Sequence, residues 1–414
     1  MKYCVFIFFL SVSICSHAQF VWENRTYYPL IKTVLLEQQG NQMSEPVLYL
    51  NSNKKLLLQF DELTEQTNNY EYTIIHCNAD WTQSNLEVTL YLEGFEIQPI
   101  ENYSNSLNTL QRYVHYSQII PSPNMKITKS GNYIIKVFKA GNDDEVIFSR
   151  RFYCVDDQTN IRTEIKKSLI TSLLQTNQEV NVRVASKGTR FFSNAENDIK
   201  VIVQQNGRED NKRRLRMRGN SGSDMDFSFD ESNCFWGGNE FRNFDITSLR
   251  SRSNYVARLD YYNNQNIAIL RTERVKKTYA YSFDKDINGK YYIRNEYQED
   301  RNTYSDYAWV YFTLDLSFNL EGDYYVVGDL TDWRMEPMNK FEFKDGKYIV
   351  ALYLKQGYYN YQILFLPNFS SEGSTAEVEG NHYETNNIYK IFVYYHNFSD
   401  DYDELVGYSL VEKS

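Results

Sequence analysis

Apolar and polar positions alternate with a period of two along most of the chain. In YEYTIIHC, Tyr72, Ile74 and His76 fall on one face and Thr73, Ile75 and Cys77 on the other, the spacing of a β-strand. Comparable short runs recur: KKLLLQFDEL, GNYIIKVFKA, VIFSRRFYCV, EVNVRVAS, IKVIVQQNG, YVARLDYY, YAYSFDKD, AWVYFTLDL, GDYYVVGDL, GKYIVALYL, YYNYQILFL and IYKIFVYYH. Each is bounded by Asn, Asp, Gly or Ser, which favour turns. No stretch carries the 3.6 period of a long helix. The pattern predicts an all-β chain of three consecutive β-sandwich modules, immunoglobulin-like or early-set-like. Domains commonly hold ~100 to 150 residues, and polar interruptions at 157–161 and 273–278 divide the chain into 19–157, 158–277 and 278–414. The charged segment 294–306 reads as an exposed loop of the third module.

The first residues, MKYCVFIFFLSVSICSHAQF, break this rhythm. Lys2, an apolar run and a small-residue pattern ending at Ala18 read as a secretory signal peptide, 1–18, cleaved before Gln19. No later run approaches the ~18 apolar residues of a membrane span, so a soluble exported chain is expected. The formal charge is -10, and losing Lys2 makes the mature chain -11, a poor match to nucleic acid. Cys77, Cys154 and Cys234 remain after cleavage, too few for a disulfide framework. A Cys77–Cys154 bridge and free buried thiols are both open. With 36 Tyr and 25 Phe against 18 Gly and 7 Pro, the composition favours strands and a broad, wet contact surface.

Within IIHCNADWTQSNL, alternation points His76 and Cys77 apart, which disfavours a thiol–imidazole nucleophile. Asn78, Asp80 and Ser84 are turn formers, and Trp81 is expected to cover a sandwich end. In DKDINGKYYIRNE, Asp284, Asp286, Asn288 and Gly289 fit the start of a calcium loop. Its closing glutamate should be residue 295, which is Asn295, and Glu296 comes one position late; Asn288-Gly289 between alternating flanks reads instead as a hairpin turn. NKRRLRMRG places Arg214, Arg216 and Arg218 on one strand face, with Arg213, Leu215 and Met217 on the other. This is a charged edge or an electrostatic contact to an acidic partner or anionic lipid. Asn239, Glu240, Arg242 and Asp245 follow Trp236-Gly237-Gly238, with Glu240 and Arg242 on one face, able to pair with each other or with neighbours. Asp332 and Trp333 occupy the turn of GDYYVVGDLTDW, where an exposed tryptophan could stack a sugar. Nucleophile-elbow, zinc-protease, phosphate-loop and dinucleotide signatures are missing from the sequence. No cofactor and no metal site is expected, while a pair of distant carboxylates would leave no local signature.

Taken together and in order, YTIIHCNADWTQSNL, ENYSNSLNTLQRYVHY, KSGNYIIKVF, VQQNGR, FWGGNEFRNFDITSLR, DINGKYYIR, SDYAWVYFTL, GDYYVVGDLTDW, LKQGYYNYQ and EGNHYETNNIYKIFVYYH resemble the plug protein family of the Bacteroidota type IX secretion system. The resemblance implies a non-enzymatic periplasmic protein, a monomer when free. It would dock on the periplasmic opening of the large outer-membrane translocon barrel, of the SprA/Sov type, and block the channel when cargo is not entering. His76, Asp80, Trp81, Asn239, Glu240, Arg242, Asp245, Asp332 and Trp333 are then family markers and candidate interface residues. Arg213, Arg214, Arg216 and Arg218 are a candidate electrostatic contact. The alternative is a periplasmic or surface glycan-binding protein that uses Trp333.

Overall fold

The computed structural model describes residues 20–188, 192, 194–221, 224–297, 300–316 and 320–413; the expected signal peptide lies outside them. The fold is all-β. Among the described residues the only α-helices are the single turns Val88–Tyr91 and Ala195–Asp198.

The first module is a sandwich. One sheet runs in the order Arg25–Thr26, Asn142–Val155, Gly131–Lys139, Tyr70–Cys77, Gln98–Ile100, with Val47–Tyr49 also on Asn142–Val155. The facing sheet runs Ile31–Gln38, Leu56–Glu62, Val114–Ile120, Asn102–Asn105. Tyr72, Ile74 and Phe148 of the first meet Leu58, Phe60 and Tyr116 of the second in one core. The other face of the first sheet is covered too. Ile75, Cys77, Ile134 and Tyr153 pack against Phe392, Tyr394 and Leu405 of the C-terminal hairpin. Burial on both faces explains why GNYIIKVF is a nearly unbroken apolar run: Ile135 serves one core and Ile134 the other.

Strand pairing crosses the divisions expected from the sequence. Ile199–Gln205 pairs antiparallel with Ile388–Asn397, which pairs with Tyr402–Glu412. The C-terminal hairpin therefore completes the second sandwich, whose other sheet holds Thr159–Lys167, Asn177–Ser186 and Asp224–Phe227. Arg242–Asp245 pairs with Gly357–Pro367, and Gln265–Leu270 with Tyr307–Asp315. The third module thus spans roughly Arg242 to Val378, inserted between strands of the second, with its own core around Phe244, Phe312 and Tyr361. Alternation reports which face of a strand is buried but not which edge it joins, so a strand that crosses between modules leaves no local signature.

Two local expectations also change. Asn288 and Gly289 do form a turn at φ +52 and +80, but only one flank is a strand: Tyr291–Ile293 pairs with Gly357–Pro367, and YAYSFDKD is irregular. The turn is not a hairpin. Within 294–306, residues 300–306 are packed on the first module: the Leu107 N–H donates to the Thr303 carbonyl at 2.8 Å, and the Tyr113 hydroxyl to the Ser305 carbonyl at 2.8 Å.

Candidate functional site

The strand Tyr70–Cys77 delivers its last two residues to different cores. His76 faces the first, among the rings of Tyr91, Tyr133 and Tyr402. Its Nε2 lies 3.1 Å from the Ser130 carbonyl, which only accepts, so Nε2 carries the proton and Nδ1 accepts from the Ser84 hydroxyl at 2.9 Å. Burial lowers the imidazole pKa to about 4. Gly131, at φ +150, makes room for the ring: a Cβ there would stand 2.2 Å from Nε2. Cys77 points to the junction core and Cys154 to the first core. Both thiols are free and buried, and burial pushes both up to about 12, so neither is poised to react.

The following turn is a docking element inside the molecule. Exposed Asp80 accepts from the Thr82 N–H at 3.0 Å and its hydroxyl at 2.6 Å, an Asx turn. Trp81, at φ +68, is buried with the Arg151 guanidinium 4.1 Å from its ring centroid, a cation–π contact. The Ala79 N–H donates to Asp403 at 3.1 Å, and Asp403 also holds the Lys200 ammonium at 2.8 Å. One carboxylate of the C-terminal hairpin therefore ties the first module to the second. Trp81 seals that junction rather than a free end of the sandwich.

The polar run after Trp236 splits up. Asn239 donates to the Glu379 carbonyl at 2.8 Å, and Arg242 Nε contacts both oxygens of the fully buried Glu379 carboxylate at 2.9 Å. Arg242 also pairs with Glu273. Burial disfavours the guanidinium charge, but Glu379 and Glu273 outweigh it and raise its pKa. Glu240 turns elsewhere, accepting from the Tyr281 hydroxyl and the Asn386 N–H, with burial raising its pKa. Glu240 and Arg242 thus pair with neighbours, not with each other. Asp245 stands apart with Arg294.

Asp332 and Trp333 both adopt left-handed backbone, at φ +51 and +57. Asp332 lies 3.3 Å from Arg150 of the first module. Trp333 is only 9% exposed, edge-on to Phe241 at 5.8 Å, and its Nε1–H donates to Asp329. Gly207 and Gly289 form the slot: a Cβ on either would come within 2.0 and 2.5 Å of the indole. This tryptophan is a peg between the second and third modules and offers no open face for stacking a sugar.

The arginines keep the expected alternation although only Arg213–Arg214 is strand. Arg214, Arg216 and Arg218 are exposed, while Leu215 is buried and Met217 packs on the second core. Arg213 is paired with Glu372 at 2.8 Å and Arg218 with Asp230 at 3.6 Å. In the segment 284–289 that fits the start of a calcium loop, Asp286 instead accepts from the Phe241 and Asn288 N–H groups, and burial raises its pKa to about 7. The described residues contain no group of three or more His, Cys, Asp or Glu able to hold a metal ion.

The residues that lock the modules together are ones sequence reasoning missed. Glu45 holds Lys290 of the third module at 2.7 Å and Lys390 of the second at 2.5 Å. Burial alone would raise its pKa, and the two ammonium groups instead pull it down to about 2. Between the first and third modules, Asp61 accepts from Lys355 at 2.5 Å, His115 at 2.6 Å and the Tyr307 hydroxyl at 2.6 Å. A cavity of about 160 Å³, lined by Glu45, Glu209, Lys290 and Lys390 among others, marks where the three modules meet. Nothing local distinguishes Glu45 in MSEP or Asp61 in QFDEL from ordinary surface acids.

The site residues therefore form no single reactive constellation. His76, Trp81, Asn239, Glu240, Arg242 and Trp333 are buried, Asp245, Asp332 and Arg213 are partly buried, and Asp80, Arg214, Arg216 and Arg218 are exposed. Comparison with known proteins gives the family. The model described as "Type 9 secretion system plug protein 1st domain" matches residues 31–156, the first sandwich. A crystal structure of a hypothetical protein from Parabacteroides merdae ATCC 43184 is 30% identical with a TM-score of 0.92, covering 95% of this chain and 100% of that one. An enterococcal surface protein N-terminal region is 9% identical with a TM-score of 0.17, over 94% of each chain. No curated protein matches.

Proposed function

The chain belongs to the type 9 secretion system plug protein family, and from that membership we propose that it is a non-enzymatic periplasmic stopper of the secretion channel. It docks on the periplasmic opening of the large outer-membrane translocon barrel and closes it when cargo is not entering. The observation that carries this reading is the family match over the first sandwich. A barrel wide enough for folded cargo leaks unless its idle opening is covered. The covering body must be stiff, and buried carboxylates at the module junctions supply that: Asp61, Glu45 and Asp403 each bind groups from another module. Exposed aromatics, among them Phe95, Tyr262, Phe343 and Phe398, suit a broad contact. No helix among the described residues is long and apolar enough to cross a membrane, which fits a peripheral partner of the barrel.

The test is co-purification in detergent from cells that express the barrel, using the tagged full chain and mass-spectrometric identification. Recovery of one large outer-membrane barrel in stable association is the expected result. Recovery of none sinks the proposal.

A further inference from the structure

The first and third modules do not close completely against each other. A groove of about 590 Å³ runs between them, within the size range of small-molecule sites. One wall is the start of the strand Ile31–Gln38 and the segment before it; the other comes from Tyr307–Asp315, Lys347–Lys355 and residues 330–339. The Thr33 hydroxyl, on the first wall, ties it to the third module through the Tyr307 hydroxyl at 2.7 Å.

The first wall is deliberately irregular. Pairing between Ile31–Gln38 and Leu56–Glu62 shifts register between Lys32 and Leu35, and Thr33 sits at φ +51. Such a bulge re-aims the side chains beside it. Here it places Lys32 in the groove. The remaining lining is largely apolar, including Tyr27, Tyr28, Trp309 and Met338, with Trp309 packed on Tyr353 at 4.9 Å. Tyr28 and Met338 are 41% and 64% exposed.

The charges decide what such a groove accepts. Arg25 and Arg334 face Glu23 and Glu336, Arg150 faces Asp332, and Lys355 faces Asp61. Lys32 differs: among the described residues its ammonium has no ion pair and no hydrogen bond, although it is half-buried. Partial burial of the side chain with no carboxylate beside it disfavours the charged ammonium, as the lowering of its pKa by desolvation reflects. An anion arriving with its own apolar body would relieve both deficits at once.

We propose that this groove binds a small amphipathic organic anion, with its anionic group on the Lys32 ammonium and its apolar body against the aromatic wall around Tyr28 and Trp309. The site goes beyond channel closure and stands whether or not the chain docks on a barrel. The probe is anilinonaphthalenesulfonate, titrated into the full mature chain with fluorescence as readout and laurate as competitor; the uncharged phenylnaphthylamine is the control. One saturable site displaced by laurate is expected. Lys32→Met, which keeps the stem and removes the charge, should weaken the sulfonate about tenfold, as losing a charge-assisted hydrogen bond does, and leave the uncharged dye unchanged. Ala351→Trp, which fills the groove, should weaken both dyes. Sulfonate binding that both variants leave intact overturns the proposal. So does equal weakening of both dyes by Lys32→Met, or the absence of a site that laurate displaces.

Discussion

The ammonium of Lys355 lies 2.5 Å from the carboxylate of Asp61, and both side chains are buried between the first and third modules. The two ends of this pair are not equivalent. Asp61 also accepts from His115 and Tyr307, so removing it takes a partner from three groups at once, although Lys355 keeps the Asn302 carbonyl and Tyr307 the Thr33 hydroxyl. Removing Lys355 leaves Asp61 two partners. Breaking a buried pair from one side costs about 3–5 kcal/mol. Asp61→Leu should reach that range in urea unfolding, and Lys355→Met should cost less. Equal losses would mean that His115 and Tyr307 contribute little at this junction.

Glu45 and His76 make stability fall in separate acid windows. Glu45 has a folded pKa of about 2 against an ordinary 4.5. Its depressed pKa gives stability that is fully present above 4.5 and lost as pH falls toward 2. His76 is a base lowered from 6.5 to about 4, so the unfolded chain takes the proton first. Its contribution is complete above 6.5 and lost between 6.5 and 4, about 3 kcal/mol for a shift of this size. Glu45→Gln should flatten only the lower window and His76→Gln only the upper one, read as melting temperature against pH.

Alternation made the strand YEYTIIHC legible, including the opposed directions of His76 and Cys77, because a period of two depends only on local backbone geometry. The exposed arginine face was legible for the same reason. What failed to show was everything that depends on distant partners. The pairing of Ile199–Gln205 with Ile388–Asn397 joins segments nearly half the chain apart. The burial of Trp333 depends on two glycines elsewhere, Gly207 and Gly289. Glu45 becomes a hub only when lysines from both other modules arrive. Trp81 and Trp333, read as candidate surface residues from their motifs, are packing residues in this fold.

That reading of Trp333 gives a direct test. A Cβ at residue 207 would stand 2.0 Å from the indole nitrogen, and neither group has slack in the slot. Overpacking of this kind costs about 1–3 kcal/mol. Gly207→Ala should lower stability by that amount, and Trp333→Ala by about 3–5 kcal/mol for emptying the slot. Calorimetry on the two variants checks both values. A neutral Trp333→Ala would mean that the peg is not what joins the second module to the third.

The exposed arginines give the proposed docking a surface test. Arg214 and Arg216 have no ion-pair partner among the described residues, while Arg218 leans on Asp230 at 3.6 Å. An unpaired, solvated guanidinium contributes little to folding, so Arg214→Glu and Arg216→Glu should leave the melting temperature nearly unchanged. Against an acidic partner the same changes replace attraction with repulsion at the rim of a contact, which acts mainly on association rate and on its salt dependence. The double variant should associate with the barrel about tenfold more slowly at low ionic strength, and the difference from the native chain should shrink as salt screens it. Surface plasmon resonance with the purified barrel reads both effects. Identical rates at every ionic strength would assign the stripe to guarding a strand edge and remove it from the proposed docking surface.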